Sequence, residues 1–407
     1  MEEDLLAAAG YMTCVAAALS LYAAAKEKQE TSNSKKREWV KTWRLKRIEN
    51  SSFKFLYDEL RLNDKDSYRR YLRMDEECFN EILKLVEPLI LKETTQMRDP
   101  IDPRESLAML LRFLATGESY RSLDFQTRLS HSFISKFIPR CCSAIYSSLK
   151  GRYLKFPRSF MEWEDVAEGY SRRWSFSLCL GAMDGKHIGF RASKTDGALY
   201  YNYKGFNSII LLAMCDARYK FTFIDVGCNG RLSDGGVLNR SDLCTILSNP
   251  SRYFPPDAVI GRERKLPYSI IGDDAFPLQK HILKPYSYTS TEKQKKKFNF
   301  RLSHARQCIE HSFGMLANRF RVLQTTIHLR PEKVKLVVQA CCVLHNFLIE
   351  NCGSYEVPQR PPRGYTLTED NEISDQRRPT QVASDIRDEF AKYFTEEGQL
   401  PWQDLYI

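Results

Sequence analysis

Residues 174–190 read "WSFSLCLGAMDGKHIGF". The stretch up to Met183 has the apolar composition of a buried strand, and it ends on a carboxylate, Asp184. Gly185 follows at once. The chain is therefore expected to turn sharply there and send "HIGFRAS", residues 187–193, back as the hairpin partner. A carboxylate at the tip of an apolar strand is costly unless something compensates it, and its ordinary explanation is a turn aspartate.

Outward from this stretch the texture stays β. "NSIILLAMCDA" (207–217) and "YKFTFIDVGC" (219–228) read as two long strands joined by a short turn at Ala217-Arg218, and "YSIIGDD" (268–274) as a shorter strand ending at Asp273 and Asp274. A helix is expected to begin after Asp234 in "GRLSDGGVLNRSDLCTIL". "RLSHARQCIEHSFGMLANRFRVL" (301–323) and "PEKVKLVVQACCVLHNFLIE" (331–350), the latter opened by Pro331, read as amphipathic helices. On the first of them, Ile309, Phe313, Leu316, Phe320 and Leu323 form the apolar face with Glu310 at its edge.

An aspartate ending one strand, another ending a later strand and a glutamate on a long helix have a joint chemical meaning. Hard divalent cations take several oxygen ligands, and phosphodiester cleavage uses a pair of such ions to activate water and stabilise the leaving oxygen. Asp184, Asp273 and Glu310 fit that pattern. His304, Cys308 and His311 share a helical stripe and raise the idea of zinc. The outer two are about 10 Å apart along the axis, too far for bonds of about 2.0–2.3 Å to a single ion.

Basic residues crowd the approach to Glu310: Lys293, Lys295, Lys296, Lys297, Arg301 and Arg306. They read either as a solvated charged loop or as phosphate contacts for a polyanion. Lys186, His187 and Lys204 are further candidates for contacts to such a backbone.

Upstream, residues 67–165 are helical. "CFNEILKLVEPLI" shows helical apolar spacing, and residues 105–149 break at Gly117 and again near Ser130 into three helices with a helix-turn-helix look. In the last of these, Ile134, Phe137, Ile138, Cys141 and Ile145 form the expected buried stripe, leaving His131, Ser132, Ser135, Lys136 and Arg140 outward. That suits a DNA-recognition helix and suits equally a three-helix bundle that touches no nucleic acid.

The N-terminus opens with "LLAAAGYMTCVAAALSLYAAA" (5–25), an uncharged run in which nine of 21 residues are alanine. As a helix it reaches about 31 Å, enough to cross a bilayer. Glu2, Glu3 and Asp4 before it do not fit a secretory signal, and alanine favours a packing or self-association helix over a membrane anchor. Residues 26–66 follow as a basic linker. Within it, Lys35, Lys36, Arg37, Lys41, Arg44, Lys46 and Arg47 point to nuclear import or a DNA backbone. At the other end, residues 353–407 read as a mostly flexible, Pro-rich tail with one short helix in "SDIRDEFAKYF".

Composition is compatible with all this. The 407 residues carry a formal charge of +10, which suits a polyanionic partner without requiring one, and twelve scattered cysteines without a CxxC fit reduced, buried thiols in an intracellular protein.

The segments "LRFLATGESYRSL", "GAMDGKHI", "YYNYKGFNSIILLAMCDARYKFTFIDVGCNGRLSDGGVLNRS", "IIGDDAFPL", "CIEHSFGMLANRFRVL" and "ACCVLHN" occur in order between residues 70 and 350. Together they resemble the PIF/Harbinger superfamily of DNA transposases and the nucleases derived from them. The resemblance implies an α/β fold, with an RNase H-like core of mixed sheet flanked by helices over 166–352. It also implies a DDE triad working with two magnesium or manganese ions. Asp184 takes the first acidic position and Glu310 the third. A family pattern Gly-Asp-Ser-Gly-Tyr-Pro-Leu aligns with Gly272–Leu278 and selects Asp273 as the second, although Asp274 stands where a small polar residue is usual. Asp234 matches a further acidic position at the metal site, its alternative being a helix N-cap.

The expected activity is metal-dependent cutting of DNA, with strand transfer to target DNA if the protein is still mobile. A Myb-like DNA-binding partner, homo-oligomerisation on transposon ends, and a nuclear location are implied with it. The rival is a non-catalytic DNA- or chromatin-binding protein on a domesticated transposase scaffold.

Overall fold

The computed structural model describes residues 2–31, 40–91, 101–193, 197–353, 355 and 379–406. Lys35, Lys36 and Arg37 of the basic segment lie outside these residues. The chain divides into two compact units, Met1–Ser51 and Ser52–Ile407.

The first unit is dominated by helix α1 (Glu2–Thr31), followed by single turns at Thr42–Leu45 and Arg47–Asn50. Its larger side chains, Tyr11, Met12, Leu19 and Tyr22, are exposed, with alanines between them. Among the described residues no helix is long and apolar enough to cross a membrane.

The second unit is built on a five-stranded sheet in the order β3-β2-β1-β6-β7. Its strands are β1 (Cys179–Gly189), β2 (Ser208–Cys215), β3 (Phe221–Asn229), β6 (Ser269–Ile271) and β7 (Ile282–Leu283); β4 (Ala258–Ile260) and β5 (Arg264–Leu266) form a separate small ribbon. β2 runs antiparallel to both β1 and β3, and β6 and β7 are added parallel to β1. Every residue of β2 is buried, which explains its uninterrupted apolar run.

The expected hairpin at Gly185 does not form. β1 runs straight through, pairing with β2 from Ala182↔Cys215 to Gly189↔Ser208, so Asp184 sits mid-strand opposite Ala213 and Gly185 opposite Leu212. The glycine serves a close approach from another element instead of a turn. The turn between β2 and β3 forms where expected: Asp216 Oδ1 accepts from the amides of Arg218 (2.8 Å) and Lys220 (3.0 Å).

The helical region follows its punctuation. Helix α2 (Glu76–Ile90) precedes α3 (Pro103–Thr116), which has Asp102 capping its start and ends on Gly117 at φ 73°. Ser119 caps α4 (Tyr120–Thr127) and Ser130 caps α5 (His131–Tyr153). The predicted stripe of α5 is buried, with Cys142 and Ala144 added to it. This helix packs along α9 (Pro331–Asn351), whose buried residues are mostly apolar and include a polar side chain with a full set of partners. Asn346 donates to the carbonyls of Tyr153 and Phe221, both at 2.7 Å, and accepts from the Phe221 amide at 2.9 Å. One side chain thus ties the helical region to the edge of the sheet.

Helix α6 (Phe160–Trp174), opened by a Ser159/Glu162 capping box, leads into β1. Helix α7 (Asp234–Leu238) follows β3, and α8 (Lys293–Arg319) lies against β1 and β2. The short helix expected in "SDIRDEFAKYF" forms, and is longer and better packed than a loose tail implies. Helix α10 (Gln381–Thr395) packs on α8 and buries Phe390, Ala391 and Phe394, with the Phe394 ring 4.9 Å from that of Phe176. Residues 356–378 lie outside the described residues.

Candidate metal centre

Parallel pairing of β1 with β6 ends at Ala182↔Ile271, and the next residues on the same faces are Asp184 and Asp273. Beyond this point β1 keeps β2 on one side and loses its neighbour on the other, leaving a notch. Asp273 is buried in the turn after β6, where its Oδ1 accepts from the Ala275 amide at 3.0 Å. The Asp184 carboxylate accepts from the amide of Gly185 at 2.8 Å.

The third acid is Asp234. It is not the cap of α7, since Ser233 holds that place with its hydroxyl accepting from the Gly236 amide. Standing one residue further on, Asp234 directs its carboxylate against Gly185. A Cβ at position 185 would lie 2.1 Å from Asp234 Oδ1, so only glycine permits this approach. Ligand atoms of Asp184, Asp234 and Asp273 all lie within 4.8 Å of one another.

Oxygens around one octahedral ion with bonds of about 2.1 Å are separated by about 3–4 Å, so the three carboxylates fit a hard divalent cation with little adjustment. An all-oxygen donor set favours magnesium, manganese or calcium over zinc. Three converging carboxylates also repel one another in a partly buried site, a cost that a cation removes.

Asp274 turns away and pairs with Lys284 at 3.0 Å, so Asp273 is the aspartate that enters the group. Glu310 is not part of it. Its Oε1 accepts from Arg306 Nη2 at 2.6 Å, one helical turn back on α8. The helix nevertheless crosses the right face of the sheet. Lys186, on the same side of β1 as Asp184, holds its ammonium 5.7 Å from the ring of Phe313, which follows Glu310 by less than one turn. Burial lowers the Lys186 pKa, while nearby Asp184 opposes the shift. The zinc idea finds no support: Cys308 donates to the Asp216 carbonyl, and His304 is engaged with the Trp174 carbonyl.

The expected DNA contacts divide. Lys136 and Lys204 are exposed, and Lys204 sits 5.1 Å from the Tyr203 ring. Arg140 is exposed but donates to the Leu89 carbonyl at 2.8 Å. Lys295 pairs with Glu292 at 2.7 Å, and Lys296 is exposed. His187 meets Ser208 Oγ through Nδ1 at 2.8 Å.

Lys297, Arg301 and Arg306 do not serve as surface phosphate contacts. The basic run is helical, and these three are buried in α8. Lys297 pairs with Asp404 at 3.0 Å, and Arg301 donates to the carbonyls of Gly398 and Ser175 and to Gln403. Their partners come mostly from the C-terminal segment, which spacing along α8 cannot reveal.

Sequence reasoning passed over the cleft next to Asp234. A cavity of about 260 Å³ is lined by His187, Tyr201, Asn202, Tyr203, Arg231 and Asp234, among others. Its signal was present in "YYNYKGFN", where exposed aromatics alternate with polar residues between two apolar strands.

A mixed sheet flanked by helices, with acids from β1, from the turn after its parallel neighbour and from the helix after β3, has the architecture of an RNase H-like core. Residues 183–346 match the family model described as DDE superfamily endonuclease, and the chain carries that domain. It is homologous to HARBI1 of Bos taurus, named as a candidate nuclease, with 27% identity over 269 residues covering 64% of this chain and 71% of the relative. HARBI1 of Homo sapiens is 26% identical over the same shares. The protein ALP1-like of Arabidopsis thaliana is 23% identical over 298 residues, 70% of this chain and 71% of its own. No solved structure matches the chain.

Proposed function

We propose that the chain is a DNA endonuclease, a transposase or a protein derived from one, that cuts phosphodiester bonds with divalent cations held by Asp184, Asp234 and Asp273. The observation that carries this is the convergence of the three carboxylates within 4.8 Å inside a DDE endonuclease domain. When bound, magnesium or manganese supplies Lewis-acid polarisation of the phosphodiester and lowers the pKa of water. The chain's own part is positioning. The β1–β6 register fixes Asp184 beside Asp273, Gly185 admits Asp234, and Lys186 adds a cation to the Asp184 face. Glu310, held by Arg306 on α8, is the further acid in this reading, joining the set once its carboxylate leaves Arg306.

Substrate binding, in this reading, uses the exposed Lys136, Lys204 and Lys296, and the basic segment 26–47 serves nuclear import. Strand transfer, a Myb-like partner and assembly on DNA follow from the same reading. The test is nicking of DNA carrying the cognate element ends in magnesium. Activity should vanish in Asp184→Asn and in Glu310→Gln, and equal cleavage by either variant removes its role.

One observation favours a second reading, a non-catalytic DNA-binding protein on a retained scaffold: Glu310 is engaged by Arg306 instead of joining the aspartates. Binding of the same DNA without nicking by the unaltered chain, in magnesium or manganese, would select it.

A further inference from the structure

We propose that the cleft beside Asp234 receives one unpaired nucleotide of the DNA strand and stacks its base on Tyr201 and Tyr203. This rests on the reading of the acid group as a DNA-cutting site. The cavity, about 260 Å³, is far too small for a duplex and has the scale of a single nucleotide. Asp234 belongs to both the cavity and the acid group, so whatever occupies the cleft is next to the reacting phosphate.

The lining has the chemistry of a base platform. Tyr201 is 55% exposed and Tyr203 48%, the Tyr203 ring meeting His187 edge-on at 5.6 Å and the Lys204 ammonium at 5.1 Å. Stacking on such faces is tolerant of base identity and independent of pairing. Arg231, exposed at the same cleft, and Lys204, next to Tyr203 in the chain, provide positive charge for the strand's phosphates. Tyr201 and Arg231 also line an adjoining hollow of about 440 Å³, so the recess continues past the first ring, as a continuing strand requires.

The platform is held rigidly. The Asn202 amide donates to the Phe206 carbonyl at 2.9 Å and its side chain to Ser208 Oγ at 2.8 Å, while Gly205 turns the chain at φ 85°. Ser208 in turn meets His187. Gly230 lets the Arg231 segment close on this loop, because a Cβ there would lie 2.1 Å from Ser208 Oγ and 2.8 Å from the Tyr200 carbonyl. This is more order than a solvated connection between two strands needs.

The test uses the full chain, with calcium present, and a short single-stranded oligonucleotide of mixed sequence carrying 2-aminopurine, beside its duplex. The single strand should bind more tightly than the duplex and its fluorescence should be quenched on binding. Tyr201→Ala and Tyr203→Ala should each weaken binding about ten-fold and abolish the quenching, while Tyr201→Phe keeps both. Unchanged binding and quenching in the alanine variants overturn the proposal, as does a phenylalanine variant as weak as alanine. Nicking assayed on the unaltered chain in magnesium separates the two readings. Ring-dependent quenching that persists in a protein unable to nick DNA keeps the pocket and removes the nuclease; nicking without ring dependence does the reverse.

Discussion

Asp184 and Asp273 stand side by side at the end of the parallel β1–β6 ladder, each two residues beyond its member of the last pair, Ala182 and Ile271. Their proximity follows from strand register together with the short turn after β6 that holds Asp273. The group should therefore exist before any cation arrives and should be unstable because of it. Replacing Asp184 or Asp273 by asparagine removes one charge from the cluster. Either variant should melt at or above the parent temperature in EDTA. In millimolar magnesium the parent should gain several degrees, since a ligand at about 100 times its Kd adds about 2.7 kcal/mol, and the variants should not. A parent melting temperature indifferent to magnesium, manganese and calcium would show that the aspartates hold no ion.

Gly185 is the neighbour that makes the third ligand possible. With a methyl group at 2.1 Å from Asp234 Oδ1, Gly185→Ala must displace either the carboxylate or helix α7. The expected result is a cation affinity lowered about ten-fold or more, comparable to Asp234→Asn, with the two changes combined costing little beyond either alone. Additive losses in calorimetric titration would place Asp234 outside the ligand set.

Acid should unfold the protein early. His345 is fully enclosed between the Tyr219 carbonyl and the Tyr355 hydroxyl, and burial pushes its pKa down to about 4. Burial also lowers His281, His304 and His311. A histidine whose folded pKa lies below its unfolded value takes up its proton on unfolding. Its full stability is present above about pH 6.5 and is lost as pH falls towards 4, up to about 3 kcal/mol for His345. Denaturation midpoints measured from pH 7 to 4.5 should fall steeply, and His345→Gln should flatten part of that slope while lowering stability at pH 7.

What the sequence disclosed and what it hid follow from how far each cause reaches along the chain. Strands β2 and β3 and the breaks at Gly117 and Ser130 are set by local pattern and were legible, whereas Asp184, Asp273 and Glu310 were singled out through the family resemblance. Gly185 after a carboxylate looks like a turn because its real reason, the Asp234 side chain, arrives from about fifty residues downstream. Lys297 and Arg301 look like solvent-facing cations because their partners Asp404 and Gln403 are supplied by a segment that composition marks as loose. Local strands and helix breaks were readable; contacts made across the chain were not.

That C-terminal segment gives the last prediction. Phe394 is fully buried against Phe176 and Phe298, and the Arg301 guanidinium lies 4.4 Å from its ring. Gln403, also buried, donates to the Phe394 carbonyl and accepts from Arg301. Removing the ring leaves a cavity under α8, the helix that carries Glu310, and Phe394→Ala should cost about 3–5 kcal/mol. Truncation before residue 379 should do more, because it strands Arg301 as a buried cation with most of its acceptors gone. Equilibrium urea unfolding of the full chain and both variants measures this. If the truncated protein unfolds at the parent's midpoint, the segment is an appendage and α10 is not part of the core.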